Sequence, residues 1–335
     1  MLKIIRLIVS ALCLFVLFAG NALAKEKAKA KSGGFDFART SAFMKEMETR
    51  PDFPVSTVLA NDYAYSLHTL GAKIDTKRQN AIIACIKNLQ LKNGGFAADK
   101  ANKSASILYT DIALDTLGLL NAANAVDAAK VKTFAMSLKN PDGGFGFSQE
   151  SKKSSLATTY YAVHVLKAIG GLDLVDKTRT AEYVKSFEKK EGGFGSVKGV
   201  GAADARSTYM ATYVLNAIGQ LTDTARQNSV KFLGTTPYGG SKSKAMPDLD
   251  EQLYAIKALK ELKAAEKIDR KFAMVFLKKV YVPINGGFGP IVGYGSTPDS
   301  TTTAIRILAE MGRLKTPYAI NDKGIKPAAG KRCIR

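Results

Sequence analysis

Tyrosines recur near the starts of a series of similar apolar segments, and they are side chains well suited to binding a ligand. A phenol ring combines an apolar face with a polar tip, which suits the wall of a cavity that holds a hydrophobic or glycan ligand. Packing between helices is the alternative role for several of them. His164 follows one tyrosine pair and could act as a general base, or lie in the core as a hydrogen-bonded histidine. The tyrosines are Tyr63, Tyr109, Tyr160, Tyr161, Tyr209, Tyr213 and Tyr254.

The segments that carry these tyrosines repeat with a fixed period. A polar residue followed three positions later by alanine recurs in steps of 49 residues, with one step of 44. Glycine pairs, most of them followed by phenylalanine, separate the copies, and glycine pairs end helices. A period of this size indicates an array of helix-turn-helix units. The six copies are Asn61/Ala64, Thr110/Ala113, Thr159/Ala162, Thr208/Ala211, Gln252/Ala255 and Thr301/Ala304, and the glycine pairs are Gly94-Gly95, Gly143-Gly144, Gly192-Gly193, Gly239-Gly240 and Gly286-Gly287.

The two helices of a unit differ in polarity. The first is apolar on most sides, as in the uncharged stretch 208–218, whereas the second carries a charged face, as in 180–190. A helix that is apolar all round is buried, and a striped one faces water. We therefore expect a closed array of about six hairpins with an inner and an outer ring. A helix predicted between Phe35 and Thr49 would complete the sixth hairpin.

The N-terminus is typical of a cleaved secretory signal peptide. Lys3 and Arg6 precede an apolar run over 7–20 and the sequence Ala22-Leu23-Ala24. We expect export to the periplasm or the extracellular space. An uncleaved membrane anchor is the alternative, although the run is shorter than the roughly twenty residues of a spanning helix. The expected organisation is a signal peptide over 1–24, a basic tail and N-terminal helix over 25–54, the repeat array over 55–316 and a basic tail over 317–335.

Charge and cysteine usage limit the class of protein. The net charge is +20, with lysines and arginines concentrated in both predicted tails. Such tails attract anionic membrane or polysaccharide surfaces, or are simply solvated. No nucleic-acid motif accompanies the charge, so nucleic-acid binding is not expected. Only Cys85 and Cys333 follow the signal peptide, so disulfides are not expected to hold the fold together.

The glycine-glycine-phenylalanine loops and the apolar helices that follow them resemble the superfamily of protein prenyltransferase beta subunits and terpene cyclases, which includes squalene cyclase. The resemblance covers about 61–313. It implies an all-α fold, an α/α toroid in which inner helices surround a central apolar cavity. Fold alone does not determine chemistry, which depends on the residues of the site.

The resemblance also implies ligand-binding residues. The stretch 204–209 is similar to the Asp-x-Arg-Ser-x-Tyr sequence of the beta subunits, which implies that Arg206 lies near the substrate. Lys242 and Lys244 lie where that family places basic residues for a lipid diphosphate. Together with the tyrosines, these positions give the candidate ligand-binding residues Arg206, Lys242, Lys244, Tyr160, Tyr209 and Tyr254.

The zinc ligands of the prenyltransferases are not retained in this sequence. The resemblance places them at Asp250, at Gln252 and near Ser300 or Thr301. An amide and a hydroxyl are poor zinc ligands. We therefore expect no metal site and no cofactor, and we do not expect zinc-dependent prenyl transfer.

One acidic stretch resembles the catalytic acid of terpene cyclases. Asp248-Leu249-Asp250-Glu251 is similar to an Asp-x-Asp-Asp run whose middle aspartate protonates an alkene or epoxide. The resemblance implies that Asp250 is the acid and that Asp248 and Glu251 raise its pKa by like-charge repulsion. Capping of a helix N-terminus is the alternative role.

These observations favour an exported toroid that binds a hydrophobic or anionic small molecule, such as an isoprenoid or lipid, or a partner. An active prenyltransferase or cyclase-like enzyme that uses Asp250 is an alternative, and a carbohydrate-active toroid is a further one. The ligand, the oligomeric state and the existence of an alpha-type partner subunit stay open.

Overall fold

A computed structural model describes residues 34–236 and 248–314. The predicted signal peptide, Gly239-Gly240, Lys242, Lys244 and the C-terminal tail lie outside these residues. The described chain is mostly helical. Its helices are α1 (Phe37–Lys45), α2 (Thr57–Thr69), α3 (Thr76–Asn88), α4 (Ile107–Leu119), α5 (Ala128–Ser137), α6 (Leu156–Ala168), α7 (Lys177–Lys185), α8 (Ala205–Ala217), α9 (Asp223–Gly234), α10 (Leu249–Glu261), α11 (Arg270–Val280) and α12 (Pro298–Glu310).

The even-numbered helices form a closed inner ring. Each of these helices has 13 residues and packs against the next one in the series, and α12 packs against α2. The odd-numbered helices lie outside this ring. The structure thus confirms the all-α toroid of about six hairpins. The inner helices are less uniformly apolar than expected, because they carry charged side chains toward the ring axis.

The inner helices all begin at the same end of the ring. A side chain caps each of them by accepting a hydrogen bond from a backbone amide of the first turn; the caps are Ser56, Ser106, Ser155, Asp204, Asp248 and Thr297. The loop before an inner helix also covers the preceding inner helix: Thr57 N donates to Ala98 O at 2.9 Å, and Ile107 N donates to Phe147 O at 3.0 Å. These bonds satisfy amides that have no partner within their own helix. We call these helix starts and the loops 98–104, 147–153, 196–203 and 289–296 the N-terminal rim.

The repeated threonine holds the glycine-phenylalanine loop onto the inner ring. Phe145 is fully buried, and its backbone amide donates to Thr159 Oγ1 at 3.1 Å. Three other units make the same bond at 3.0 to 3.1 Å, from Phe96, Phe194 and Phe288 to Thr110, Thr208 and Thr301. The threonine therefore recurs because it accepts a buried hydrogen bond. Removing one partner of this bond would leave the other unsatisfied and lower the free energy of unfolding.

The predicted first copy of the repeat, Asn61/Ala64, is one residue out of register with the other five copies. Asn61 lies five residues after its helix cap, Ser56, whereas Thr110 lies four residues after Ser106. The first inner helix also begins at Thr57, ahead of the predicted start at Asn61. The glycine-phenylalanine stretch upstream of this helix, at 33–35, lies before α1 and not directly before α2. Asn61 therefore accepts no hydrogen bond from such a loop and instead lines the cavity.

Helix α1 occupies the outer position of the sixth unit. Thr40 Oγ1 in α1 donates to Gly286 O at 2.7 Å. The third unit makes the matching contact, from Thr180 Oγ1 in α7 to Gly143 O at 2.8 Å. The N-terminal helix and the last inner helix therefore form the hairpin that joins the two ends of the chain.

Two short strands, β1 (Tyr281–Val282) and β2 (Gly287–Phe288), pair antiparallel just before the last inner helix. Among the described residues, 3₁₀ segments occur at Glu46–Thr49, Ala123–Ala125, Leu172–Leu174 and Ala265–Lys267. Within the described ranges, every helix is too short or too polar to cross a bilayer.

Candidate functional site

A cavity of about 860 Å³ lies within the inner ring. Its wall runs from the first turn of the inner helices, at Val58 and Leu108, to their last residues, such as Glu310. All six inner helices contribute to the wall. Few of the lining side chains are aliphatic, and most are tyrosines or ionisable groups, so the wall is more polar than the resemblance implies.

Tyrosines form one continuous side of this wall. The ring centroid of Tyr160 lies 5.6 Å from that of Tyr209 and 5.2 Å from that of Tyr213. Tyr209 lies 5.8 Å from Tyr254. These separations are typical of packed aromatic pairs. The structure thus brings the predicted Tyr160, Tyr209 and Tyr254 together, whereas Tyr63 and Tyr109 do not line the cavity.

A histidine-aspartate pair lies beside the tyrosines. His164 Nδ1 and Asp111 Oδ1 are 2.5 Å apart, and the imidazole stacks on Tyr160 with centroids 5.7 Å apart. Burial on its own would lower the pKa of His164, but the charge of Asp111 and the hydrogen bond to it raise that pKa above its ordinary value. Asp111 therefore stabilises the imidazolium form of His164, and the two side chains then form an ion pair with no net charge.

Six lysines and arginines also line the cavity at different depths, at Lys167, Arg206, Lys257, Lys260, Lys263 and Arg306. Arg206 lies exposed at the N-terminal rim, with its guanidinium carbon 5.0 Å from the centroid of Tyr254. Arg306 lies 3.8 Å from the ring centroid of Tyr65 and donates to Asn61 Oδ1 at 2.6 Å. Its Nη2 is also 3.8 Å from Asp115 Oδ2, which makes an ion pair.

Lys257 differs from these cations in its surroundings. Its Nζ lies 4.6 Å from the centroid of Tyr209, halfway along the inner helix α10. Within the described residues, no carboxylate oxygen lies within 4.0 Å of this ammonium. Burial on its own would lower the pKa of Lys257, but Tyr209, Tyr254 and Glu310 raise it above its ordinary value. A buried ammonium with no carboxylate in direct contact favours an anionic ligand.

Asp62 is a buried carboxyl group on the opposite wall. Burial and the nearby negative charge of Asp299 raise its pKa from 3.8 to about 7, against the opposing influence of Arg306 and a hydrogen bond from Thr302. Its Oδ2 atom has no hydrogen-bond partner within the described residues. Asp62 is therefore a carboxylic acid that holds its proton close to neutral pH.

The predicted acidic cluster lies at the N-terminal rim. Asp248 caps α10, where its Oδ1 accepts from Glu251 N at 2.7 Å. Asp250 lines the cavity mouth, and burial, Asp299 and Asp248 raise its pKa while Arg206 opposes that rise. Glu251 is exposed and does not line the cavity. Of the three, only Asp250 can meet a ligand in the cavity.

The residues at the positions of the zinc ligands do not fit that metal. Gln252 is fully buried. Ser300 donates to Phe288 O at 2.7 Å, and Thr301 accepts from Phe288 N at 3.0 Å, so both hydroxyls hold the loop. Only Asp250 of this set faces the cavity, and one carboxylate does not make a zinc site.

The ninth residue of every inner helix lines the cavity, and sequence reasoning missed most of these residues. All six have polar side chains, and four of them carry charge or can acquire it. Because they recur at the repeat period, the periodicity that revealed the alanines could also have found them. They are Tyr65, Asp115, His164, Tyr213, Lys257 and Arg306.

Comparison with known families identifies the fold family. The model of the prenyltransferase alpha-alpha toroid domain matches residues 58–152 and 100–241, which together span more than half of the chain. The chain belongs to this family. No curated protein matches this toroid protein significantly.

Solved structures share the toroid at low sequence identity. Candida albicans protein geranylgeranyltransferase-I complexed with GGPP has a TM-score of 0.70 and 14% identity, over 84% of this chain and 92% of that chain. The type II terpene cyclase MstE from Scytonema has a TM-score of 0.59 and 15% identity, over 82% and 97% of the two chains. A variant of that cyclase in complex with geranylgeranyl dihydroxybenzoate has a TM-score of 0.55 and 15% identity, over 82% and 96%. At these identities the likeness concerns the fold.

Proposed function

We propose that this toroid protein is exported and that its central cavity binds a small amphipathic molecule with an anionic group. The observation that carries this proposal is Lys257, an ammonium group at mid-depth that has no carboxylate oxygen within 4.0 Å in the described residues. His164 lies on the same wall, where Asp111 balances its charge when it is protonated. An anionic group beside Lys257 would supply a counter-charge in direct contact with its ammonium.

The rest of the ligand would lie against the tyrosine rings and the few aliphatic side chains. Tyr160, Tyr209 and Tyr213 offer ring faces that bind apolar surface without burying unpaired polar atoms. Leu108 and Leu253 extend this apolar contact. The volume of about 860 Å³ lies within the range of small-molecule sites. The fold neighbours bound to GGPP and to geranylgeranyl dihydroxybenzoate support an isoprenoid with a polar head as the class of ligand.

A titration with geranylgeranyl diphosphate tests the proposal. We expect saturable binding by isothermal titration calorimetry, and a loss of roughly tenfold or more in affinity for Lys257→Met, because a charge-assisted contact disappears. Lys231→Met on the exposed face of α9 is the matched control and should bind like the native chain. Absence of binding by the native chain, or equal affinity in both variants, would refute the proposal.

Acid catalysis on the bound molecule is a second candidate function, and Asp62 is the observation that favours it. A proton donor must be protonated at working pH and have a free oxygen toward the substrate. Asp62 lines the cavity, keeps its proton close to neutral pH and has one buried carboxyl oxygen without a hydrogen-bond partner in the described residues, whereas Asp250 lies exposed at the rim next to Arg206. Asp62→Asn should abolish turnover of the bound molecule and retain its binding; turnover at the native rate would exclude this role.

A further inference from the structure

Three carboxyl groups line the cavity without a cation in direct contact. They belong to Asp62 in α2, Asp250 in α10 and Asp299 in α12, and α12 packs against the other two helices. Within the described residues, no basic nitrogen lies within 4.0 Å of any of their carboxylate oxygens. Asp250 and Asp299 lie in the first turn of their helices, and Asp62 lies about one turn further along the inner ring. We call these three residues the acidic group.

Negative charge remains at this level of the cavity when every lining residue is counted. Within the first six residues of the inner helices, the charged side chains that line the cavity are Asp62, Asp111, Asp250, Asp299 and Arg206. Asp111 is balanced by His164, so the acidic group remains against one guanidinium. The other charged residues of these helix starts are also acidic, at Asp204, Asp248 and Glu251. The described lysines of the surrounding loops do not line the cavity.

Asp62 is the member of this group that most lacks a partner. It is 6% exposed and lines the cavity, and its Oδ2 atom has no hydrogen-bond partner among the described residues. The partial positive charge of a helix N-terminus fades within the first turn and does not reach Asp62. Arg306 is the nearest basic influence, but it donates to Asn61 and lies 3.8 Å from Asp115. A buried carboxylate without a donor costs free energy that a cationic donor would recover.

The surroundings select an organic cation over a metal ion. Among the described residues, no three metal-binding side chains lie close enough together to hold a metal ion. An ammonium group on an organic molecule needs no such tight shell, because each of its N–H groups can donate to a separate oxygen. Apolar side chains line the same level of the cavity, at Val58, Leu108, Ile112 and Leu253. They offer contact to an alkyl chain attached to the ammonium group.

We propose that the acidic group binds the ammonium group of an organic amine with an apolar chain. The ammonium would donate to Asp62 Oδ2, and the charges of Asp250 and Asp299 would add to the attraction. This subsite does not use Lys257 and stands without the anionic group proposed above; where both hold, the natural ligand is a zwitterion. An Asp62 carboxylate paired with an ammonium group cannot donate a proton, so this inference and acid catalysis by Asp62 exclude each other.

Calorimetric titration of the full chain with octylammonium chloride tests the subsite. At pH 8, above the pKa of about 7 of Asp62, the carboxyl group is ionised. We expect the native chain to bind octylammonium roughly tenfold or more tightly than 1-octanol, which has the same alkyl chain and no charge. Asp62→Asn should lose roughly tenfold or more in affinity for octylammonium, because a charge-assisted hydrogen bond disappears. Asp52→Asn, in an exposed turn, is the matched control and should bind like the native chain.

Urea unfolding of the variants at the same pH separates lost binding from lost folding. Asp62→Asn removes a buried charge and should be folded at least as stably as the native chain. Equal affinity of the native chain for octylammonium and 1-octanol, or equal affinity of native chain and Asp62→Asn for octylammonium, would overturn the inference. Displacement of octylammonium by magnesium chloride, but not by sodium chloride of equal ionic strength, would also overturn it, in favour of a metal ion. Because this titration contains no anionic amphiphile, its result is separate from that of the geranylgeranyl diphosphate titration.

Discussion

Replacing Asp62 by asparagine should stabilise the toroid at high pH and leave its stability unchanged at low pH. The pKa of this carboxyl is about 7 in the fold against an ordinary 3.8, a difference that corresponds to about 4 kcal/mol. Because the folded-state pKa is raised, ionisation opposes folding. The cost is absent below the unfolded value, grows between roughly pH 4 and pH 7, and is complete above pH 7. Asp62→Asn removes the charge and keeps nearly the same shape.

Urea unfolding of both proteins across this pH range measures the effect. At pH 8 we expect the variant to be more stable by up to about 4 kcal/mol, and at pH 4 the two proteins should unfold at nearly the same urea concentration. Asp52→Asn in an exposed turn is the control and should give no such pH-dependent difference. A stability difference between native protein and Asp62→Asn that stays constant from pH 4 to pH 8 would refute the assignment of a protonated Asp62.

Three further predictions follow from the packing and the site. Thr159→Val leaves the buried amide of Phe145 without an acceptor and should cost about 1–3 kcal/mol in urea unfolding; a cost near zero would contradict the role given to the repeated threonine. Gly143→Ala should be more destabilising than Gly219→Ala, because both have positive φ but only the Cβ at Gly143 would lie 2.3 Å from a backbone oxygen of α7; equal losses in thermal unfolding would argue against that close approach. Affinity for an anionic ligand should fall as pH rises through the raised pKa of His164, and His164→Gln should remove this dependence in calorimetric titrations; an unchanged pH profile would exclude His164 from the site.

The fold could be predicted because every repeat makes the same local contact between a glycine loop and an inner helix. The threonine, the alanine and the glycine pair recur since each unit must seal the same loop onto the same helix. The error in the first copy has a related cause. Asn61 lies 49 residues before Thr110, as the repeat requires, but its helix does not directly follow a glycine-phenylalanine loop. The helix cap at Ser56 shows that Asn61 is one residue out of register with the other copies.

The site was less predictable because its residues come from every unit at once. Tyr160, Tyr209 and Tyr254 could be proposed from their place near helix starts, and they do lie together. Lys257 occupies a position that recurs in every unit, but the sequence does not show its burial or its distance from the carboxylates. Asp62 carries no sequence signal, because burial and the nearby charges give it its raised pKa. The polarity of the wall was also not evident from single segments. Most inner helices contribute only one to three charged side chains to the wall, but six helices surround the same cavity.

The central claim is that the cavity holds an anionic amphiphile through Lys257, and native mass spectrometry of the gently purified full chain tests it most directly. Expressed in a lipid-containing bacterial host or supplied with geranylgeranyl diphosphate, the native chain should carry a bound adduct that Lys257→Met lacks and Lys231→Met retains. A bare protein mass in all three proteins, or an adduct equally present in all three, would contradict the claim.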